Sequence, residues 1–443
     1  MSEPEWVPPE AELRIGLEFY STGTAPLSAT IKGTPEDFRV REISSYPVPD
    51  PTGPFTVLRI ESRNWEQHEL GERIAQRIGL APHAIAWAGT KDRRAIAERL
   101  LSYRGPPPTA ELGLAGVQVL EAYRARDGLV LGHHYGNAFD IRLIPVAGAP
   151  PIITSLSETL RELREIGGFP NFFGPQRFGE VRPVTHEVGG WIVRGDLDRA
   201  VETYLSAYPG HPGGQGYEAR CAYSEHHDPV RALREFPSSF RFERQLLDHL
   251  ARGHTSERAL RALSRELRTL FVHAFQAWLF NRWLSARHRH GTSSMEPIVG
   301  DTLLRVARDG TVPGTGPVPV LADNLPECTD WVQRGRARVA GPLVGFETEL
   351  PEGLPGTWMR EILRAEGIEA KDFELPRTPE IASRGSWRPA QVPIPPVGIR
   401  EGTIAGPREE PDPGIWLSFA LPKGTYATVL VRELSKTGAR STA

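Results

Sequence analysis

The chain has 443 residues, 39% of them hydrophobic and 24% charged, with 52 basic against 55 acidic residues and a formal net charge of −3. That composition excludes a disordered chain and a bulk polycation, and no apolar run reaches the roughly 18–20 residues that a membrane-spanning helix needs. Two cysteines, Cys221 and Cys328, exclude a disulfide framework or a cysteine-based zinc module. The N-terminus, MSEPEWVPPEAELR, has no basic stretch followed by an apolar one, so the expectation is a cytoplasmic protein with neither a secretory signal nor a membrane partner.

In chain order, Phe55, Val57 and Ile60 read as a strand closed by Asn64. Leu70, Ile74 and Ile78 recur every four residues, a helix with one apolar face ended by Gly79 and Pro82. The stretch HAIAWAG (83–89) reads as a short buried strand entering a loop, and Phe139, Ile141 and Leu143 alternate as another strand. Leu156, Leu160, Leu163 and Ile166 mark a helix stopped by Gly167-Gly168. Asp196 caps a helix carrying Leu197, Val201, Tyr204 and Leu205, and a loop rich in glycine and proline follows at 208–216. Two helices are expected at about 241–251 and 256–288, a hairpin at 299–310 and a short helix at 357–367. A proline-rich passage (389–413) crosses between domains into alternating Ile415, Leu417, Phe419 and Leu421, a strand, and 425–434 closes the chain as a helix. Strands followed by single helices at irregular spacing point to an α+β sheet.

Three clusters can carry chemistry. In GTKDRRA (89–95) Asp92 sits among Lys91, Arg93 and Arg94. Flanking cations favour an ionised carboxylate, which can act as nucleophile or base without a metal; a surface turn with solvated ion pairs accounts for the same string. In FPNFFGPQRFG (169–179) four aromatics fall beside Asn171, Gln176 and Arg177. Such a set can stack on a nucleobase and read its edges, or its phenylalanines can simply pack a sheet. In TIKGTPEDFRVRE (30–42), which holds Lys32, a turn feeds an alternating strand through Phe38 and Val40. Only five of the basic residues are lysines, and arginine suits phosphates and base edges, although an arginine-favouring genome explains that count by itself. The histidine pairs His133-His134, His226-His227 and His288/His290 do not set two ligands on one helical face, and no HExxH, P-loop or dinucleotide fingerprint occurs. No metal and no cofactor are expected.

Together these strings resemble the TruD family of tRNA pseudouridine synthases: the nucleophile loop GTKDRRA, the run NFFGPQRFG (171–179), and, in the family's order, IKGTPEDFRVRE (31–42), GHHYGNAFDIRL (132–143), FQAWLFNRWLSAR (275–287), GPLVG (341–345) and LPKGTYATVLVREL (421–434). The likeness runs over roughly 30–436. It implies Asp92 as the catalytic aspartate and Lys32, Phe38, Asn171, Phe173 and Tyr426 around the target uridine; the flanking Lys91, Arg93, Gln176 and Arg177 are expected to contact RNA. It implies an α+β fold: a pseudouridine synthase catalytic domain with a mixed, largely antiparallel sheet (1–194 and 388–443), interrupted by a family-specific α/β insertion (195–387). It also implies action on folded tRNA at uridine 13 of the D-arm, and a monomer is expected. Where the family usually carries threonine and glutamine after this loop, Ala97 and Arg99 stand here.

The reaction breaks the bond between base nitrogen and ribose, turns the base, and joins carbon to carbon, so it needs an ionised carboxylate near the sugar and no redox partner. The same chemistry on ribosomal RNA, messenger RNA or another tRNA position is the nearer alternative. A non-catalytic RNA-binding protein is the farther one. A glycoside hydrolase would need two cooperating carboxylates, and a single one stands in a site-like context.

Overall fold

The computed structural model describes residues 6–27, 29–31, 34–108, 110–146, 152–179, 182–208, 213, 216–308, 310–313, 316–402, 414–436 and 439–440. By contacts the chain divides into two compact units, one made of 24–161 and 394–427, the other of 1–23, 162–393 and 428–443. No helix among the described residues is long and apolar enough to cross a membrane.

The first unit is built on a nine-stranded sheet. Its path runs Gly398–Glu401, Ile415–Pro422, Gly136–Pro145, Phe38–Ile43, Ile96–Arg104, Phe55–Arg63 and Val117–Ala125, with Ala29–Ile31 beside Gly136–Pro145 and Ala86–Trp87 beside Ile96–Arg104. Phe38–Ile43 and Ile96–Arg104 run parallel, with Val40 opposite Ala97, and the other pairs are antiparallel. This is the mixed, largely antiparallel sheet that the resemblance implied, and it agrees with the α+β class expected from the irregular strand spacing.

The alternation of apolar residues sets the register. Phe139, Ile141 and Leu143 lie opposite Phe419, Leu417 and Ile415, and all six are buried. Phe38 completes an aromatic row, its ring edge-on to Phe139 at 5.9 Å. Gly136 is fixed by the same pairing, because a Cβ there would stand 2.0 Å from the carbonyl oxygen of Leu421. The helix Gln67–Arg77 presents Leu70 and Ile74 to Leu58, Ile60, Leu101 and Tyr103 of the sheet. Each such side chain contributes about 1.5–3 kcal/mol when fully buried.

The second unit is mostly helical, around a four-stranded sheet ordered Val318–Pro319, Thr302–Arg305, Ala337–Leu343, Ser386–Pro389. Its spine is the helix Arg265–Arg289. The single helix expected over 256–288 is two, Ser256–Ala262 and Arg265–Arg289. Leu263 turns extended, and the Ser264 hydroxyl accepts a hydrogen bond from the Leu267 amide, a fresh N-cap. Among the described residues the hairpin expected within 299–310 does not form either. Thr302–Arg305 pairs instead with Val318–Pro319 and Ala337–Leu343, because alternation marks a strand without naming its partner. The remaining helical expectations hold, with Leu197–Leu205 capped by Asp196, whose carboxylate accepts from the Arg199 amide. Of the proline-rich passage, 403–413 lies outside the described residues, while Gln391–Val392 and Gly398–Glu401 are strands.

Candidate functional site

The loop bearing Asp92 leaves the short strand Ala86–Trp87 and enters Ile96–Arg104. It is pinned at both ends: the Gly132 amide donates to the Ala88 carbonyl at 2.7 Å, and the Asn64 amide to the Ala95 carbonyl at 3.0 Å. Gly89 admits His134, whose Cε1 would lie 2.9 Å from a Cβ at that position. Asp92 is half-buried, and Arg93 and Arg94 after it are exposed.

Lys91 does not face solvent with them. Its ammonium donates to Glu42 at 2.6 Å, and both side chains are 1% exposed. Burial pushes this lysine below the ordinary 10.5, while Glu42 opposes that shift. Burial likewise lowers Arg99 to about 10, with its guanidinium donating to Gln67 at 2.5 Å. Burial and then Lys91 lower His134 from 6.5. Tyr426 of the same unit is half-buried just before the helix Ala427–Ser435, while Phe38 is only 1% exposed. Lys32 lies outside the described residues.

The turn 169–179 belongs to the other unit. Phe169–Pro170 pairs with Gln391–Val392, so Asn171 emerges beside the strand Ser386–Pro389. Its amide nitrogen donates to the Pro389 carbonyl at 2.9 Å, and its Oδ1 accepts from Arg388 at 2.7 Å. Arg388 also donates to the Asn171 carbonyl at 2.9 Å. A side-chain amide has two donors and two acceptor sites, and one of each here serves the protein. Phe173 is 7% exposed, with the Arg388 guanidinium over its ring at 3.9 Å and the Phe280 ring edge-on at 5.8 Å. Asn281 clamps the backbone of Phe173, accepting from its amide at 2.9 Å and donating to its carbonyl at 3.1 Å. Phe172 is fully buried against Phe19, and Phe178 is edge-on to His186. Gln176 and Arg177 are half-buried: Gln176 accepts from the Thr428 hydroxyl at 3.0 Å, and the Arg177 guanidinium lies 5.5 Å from the Phe173 ring.

Asp92, Lys91, Arg93, Phe38 and Tyr426 thus share one unit, and Asn171, Phe173, Gln176 and Arg177 the other. Reading the sequence left out Glu42, Asn281 and Arg388, which hold these segments in shape. A signal existed for Glu42, which occupies the third position of the buried alternation Phe38, Val40, Glu42. Among the described residues no group of three or more His, Cys, Asp or Glu side chains could hold a metal ion.

The family model described as tRNA pseudouridine synthase D (TruD) matches residues 14–434. A relative from Halobacterium salinarum, named for tRNA pseudouridine synthase D, is 34% identical over 441 residues, covering 96% of this chain and 97% of its own. Another of that name, from Thermococcus gammatolerans, is 36% identical and covers 93% of this chain and 95% of its own. Among solved structures, the Methanosarcina mazei protein described by the same name superposes with a TM-score of 0.78 at 29% identity, covering 97% of this chain and 98% of that one.

Proposed function

This chain belongs to the tRNA pseudouridine synthase D (TruD) family, and we propose on that premise that it converts uridine 13 in the D-arm of tRNA to pseudouridine with Asp92 as the catalytic carboxylate. The enzyme is an isomerase. In the reaction the N1–C1′ bond breaks, a C5–C1′ bond forms, and the hydrogen of C5 is replaced while N1 regains one, so no oxidant or reductant is consumed. Asp92 serves either by attacking the anomeric carbon or by removing a ribose proton to give a glycal, and both courses use the charged carboxylate. The observation that carries the reading is the family match over 14–434, which spans Asp92 in its loop and the whole turn 169–179.

Extruding the target base costs a few kcal/mol. The half-buried Tyr426 is suited to offset part of it by stacking. Lys32, Phe38, Asn171 and Phe173 complete the proposed uridine-binding set; Asn171 keeps one donor and one acceptor site for a base edge. Exposed Arg93 and half-buried Gln176 and Arg177 are proposed RNA contacts. The proposed organisation is a catalytic domain of 1–194 and 388–443 around an insertion of 195–387. It is supported by the nine-stranded sheet, which among the described residues takes no strand between Pro145 and Gly398. The enzyme is taken as a cytoplasmic monomer that needs no cofactor.

The test is to incubate the purified chain with unmodified tRNA, without metal, nucleotide or reductant, and to map pseudouridine chemically. Conversion at position 13 is expected. Product confined to ribosomal or messenger RNA in cells carrying the gene, or full activity on short uridine oligomers with none on folded tRNA, overturns the assignment of substrate.

A further inference from the structure

The sheet beneath the Asp92 loop carries charge where its pattern calls for apolar side chains. Along Phe38–Ile43 the inward face reads Phe38, Val40 and Glu42, whose side chain is 1% exposed, and along Ile96–Arg104 it reads Ala97, Arg99, Leu101, Tyr103. The two strands are parallel neighbours with Arg41 opposite Glu98, so the next step sets Glu42 beside Arg99 on the face covered by the helix Gln67–Arg77. Lys91 reaches into the same place from the loop and meets the Glu42 carboxylate at 2.6 Å. The buried carboxylate is thus paired with Lys91, while Arg99, whose guanidinium donates to Gln67, acts on it only through its charge. His134 borders them, held toward its neutral form by burial and by Lys91.

Stability does not account for this arrangement. Desolvating a buried ion pair offsets most or all of its Coulomb gain, and well-packed apolar replacements are often as stable or more so. Glu42 Oε1, Arg99 Nε, Gln67 Nε2 and His134 Nδ1 are also buried with no hydrogen-bond partner among the described residues. What the pair does achieve is directional. Lys91 and Asp92 are adjacent, so a lysine fixed inward at one residue fixes the backbone from which the next carboxylate projects.

We propose that Glu42 and Lys91, backed by Arg99, are positioning residues that lock the loop so that the Asp92 carboxylate is presented to the ribose of the target uridine. Lys91 then acts through Asp92 and not through RNA. The inference rests on Asp92 being the catalytic carboxylate, and it concerns what holds that group in place. Misplacement of a reacting group by about 1 Å can lower a rate about a hundredfold, so the signature is a loss in kcat with binding preserved.

The experiment uses the full chain and an unmodified tRNA transcript, with Asp92→Asn as the reference. Lys91→Met and Glu42→Gln are each expected to lower kcat at least about tenfold, with KM and tRNA affinity within about twofold. Arg99→Met, which leaves the Glu42–Lys91 pair in place, should lower kcat less. Because either single change at the pair can strand a buried charge, the double variant Glu42→Gln/Lys91→Met is measured beside them, with its melting temperature. It removes both charges of the pair at nearly constant volume while Arg99 keeps its hydrogen bond to Gln67, so it should fold while remaining slow. Wild-type kcat in the folded double variant overturns the inference. So does a Lys91→Met protein with unchanged kcat and weakened tRNA binding, which would make Lys91 a phosphate contact. Turnover by Asp92→Asn would instead remove the catalytic assignment itself, whatever the pair does.

Discussion

Around Asp92 the anchoring is ionic: Lys91 turns inward to Glu42, and Arg99 lies behind on the neighbouring strand. Around Asn171 and Phe173 it is made of amides, carbonyls and rings, with Asn281 gripping the backbone of Phe173 and Arg388 bridging Asn171 to the Phe173 face. In the loop a single motif residue, Asp92, is half-buried between a buried lysine and two exposed arginines. In the turn the motif is consumed more fully by its own support, with Asn171, Phe172, Phe173 and Phe178 all buried. The lesson is that a motif string mixes groups that meet a substrate with groups that hold them. Burial and hydrogen-bond partners separate the two.

The comparison breaks most sharply if chemistry and support are exchanged. Asp92→Asn should lower single-turnover pseudouridine formation by roughly a thousandfold or more, equivalent to about 4 kcal/mol. Unfolding free energy and tRNA affinity should stay near wild type; residual turnover above that level would move the chemistry elsewhere. Next in size is Arg388→Ala, which leaves the buried carbonyl and Oδ1 of Asn171 without their charged donor. A stability loss of about 3 kcal/mol is expected in denaturant titrations. Arg388→Lys should not restore it, because an ammonium cannot reproduce the planar fork.

Acid should act on the turn through His186, which packs against Phe178 and is pushed by burial from 6.5 to about 3. The folded state keeps this imidazole neutral while the unfolded chain binds a proton below about 6.5. The contribution is therefore complete above that pH and is lost as pH falls toward 3. About 2 kcal/mol should disappear between pH 7 and pH 5. His186→Phe should lose about that much less over the same interval; identical slopes would exclude His186 as the cause. The smallest effect is expected at exposed Arg93. Arg93→Ala should leave stability within about 0.5 kcal/mol and reduce the salt slope of tRNA binding by about one.

Local signals were legible wherever a residue acts on its own neighbourhood. Asp196 capped its helix, Gly79 ended another, and the alternation through Phe139 and Leu417 set both strands and their buried faces. The motifs also disclosed the family. Partnership was not legible. Thr302–Arg305 found its mates beyond residue 315, and Leu263-Ser264 interrupted a helix whose apolar spacing ran on unbroken. Lys91 looked like a solvated flank of Asp92, since nothing in GTKDRRA reports a carboxylate 49 residues earlier in the chain.

By itself, then, the sequence determined most of the helices and strands, which faces are apolar, and where the short strings typical of the family stand. These depend on residues a few positions apart, through the periods of 3.6 and 2. Only the tertiary structure decided that Lys91 faces inward, that Glu42 and Arg99 share a buried face, and that Arg388 rather than solvent meets Asn171. Those are contacts between residues distant in the chain, and a charge takes its role from whichever partner the folded backbone brings within a few ångströms.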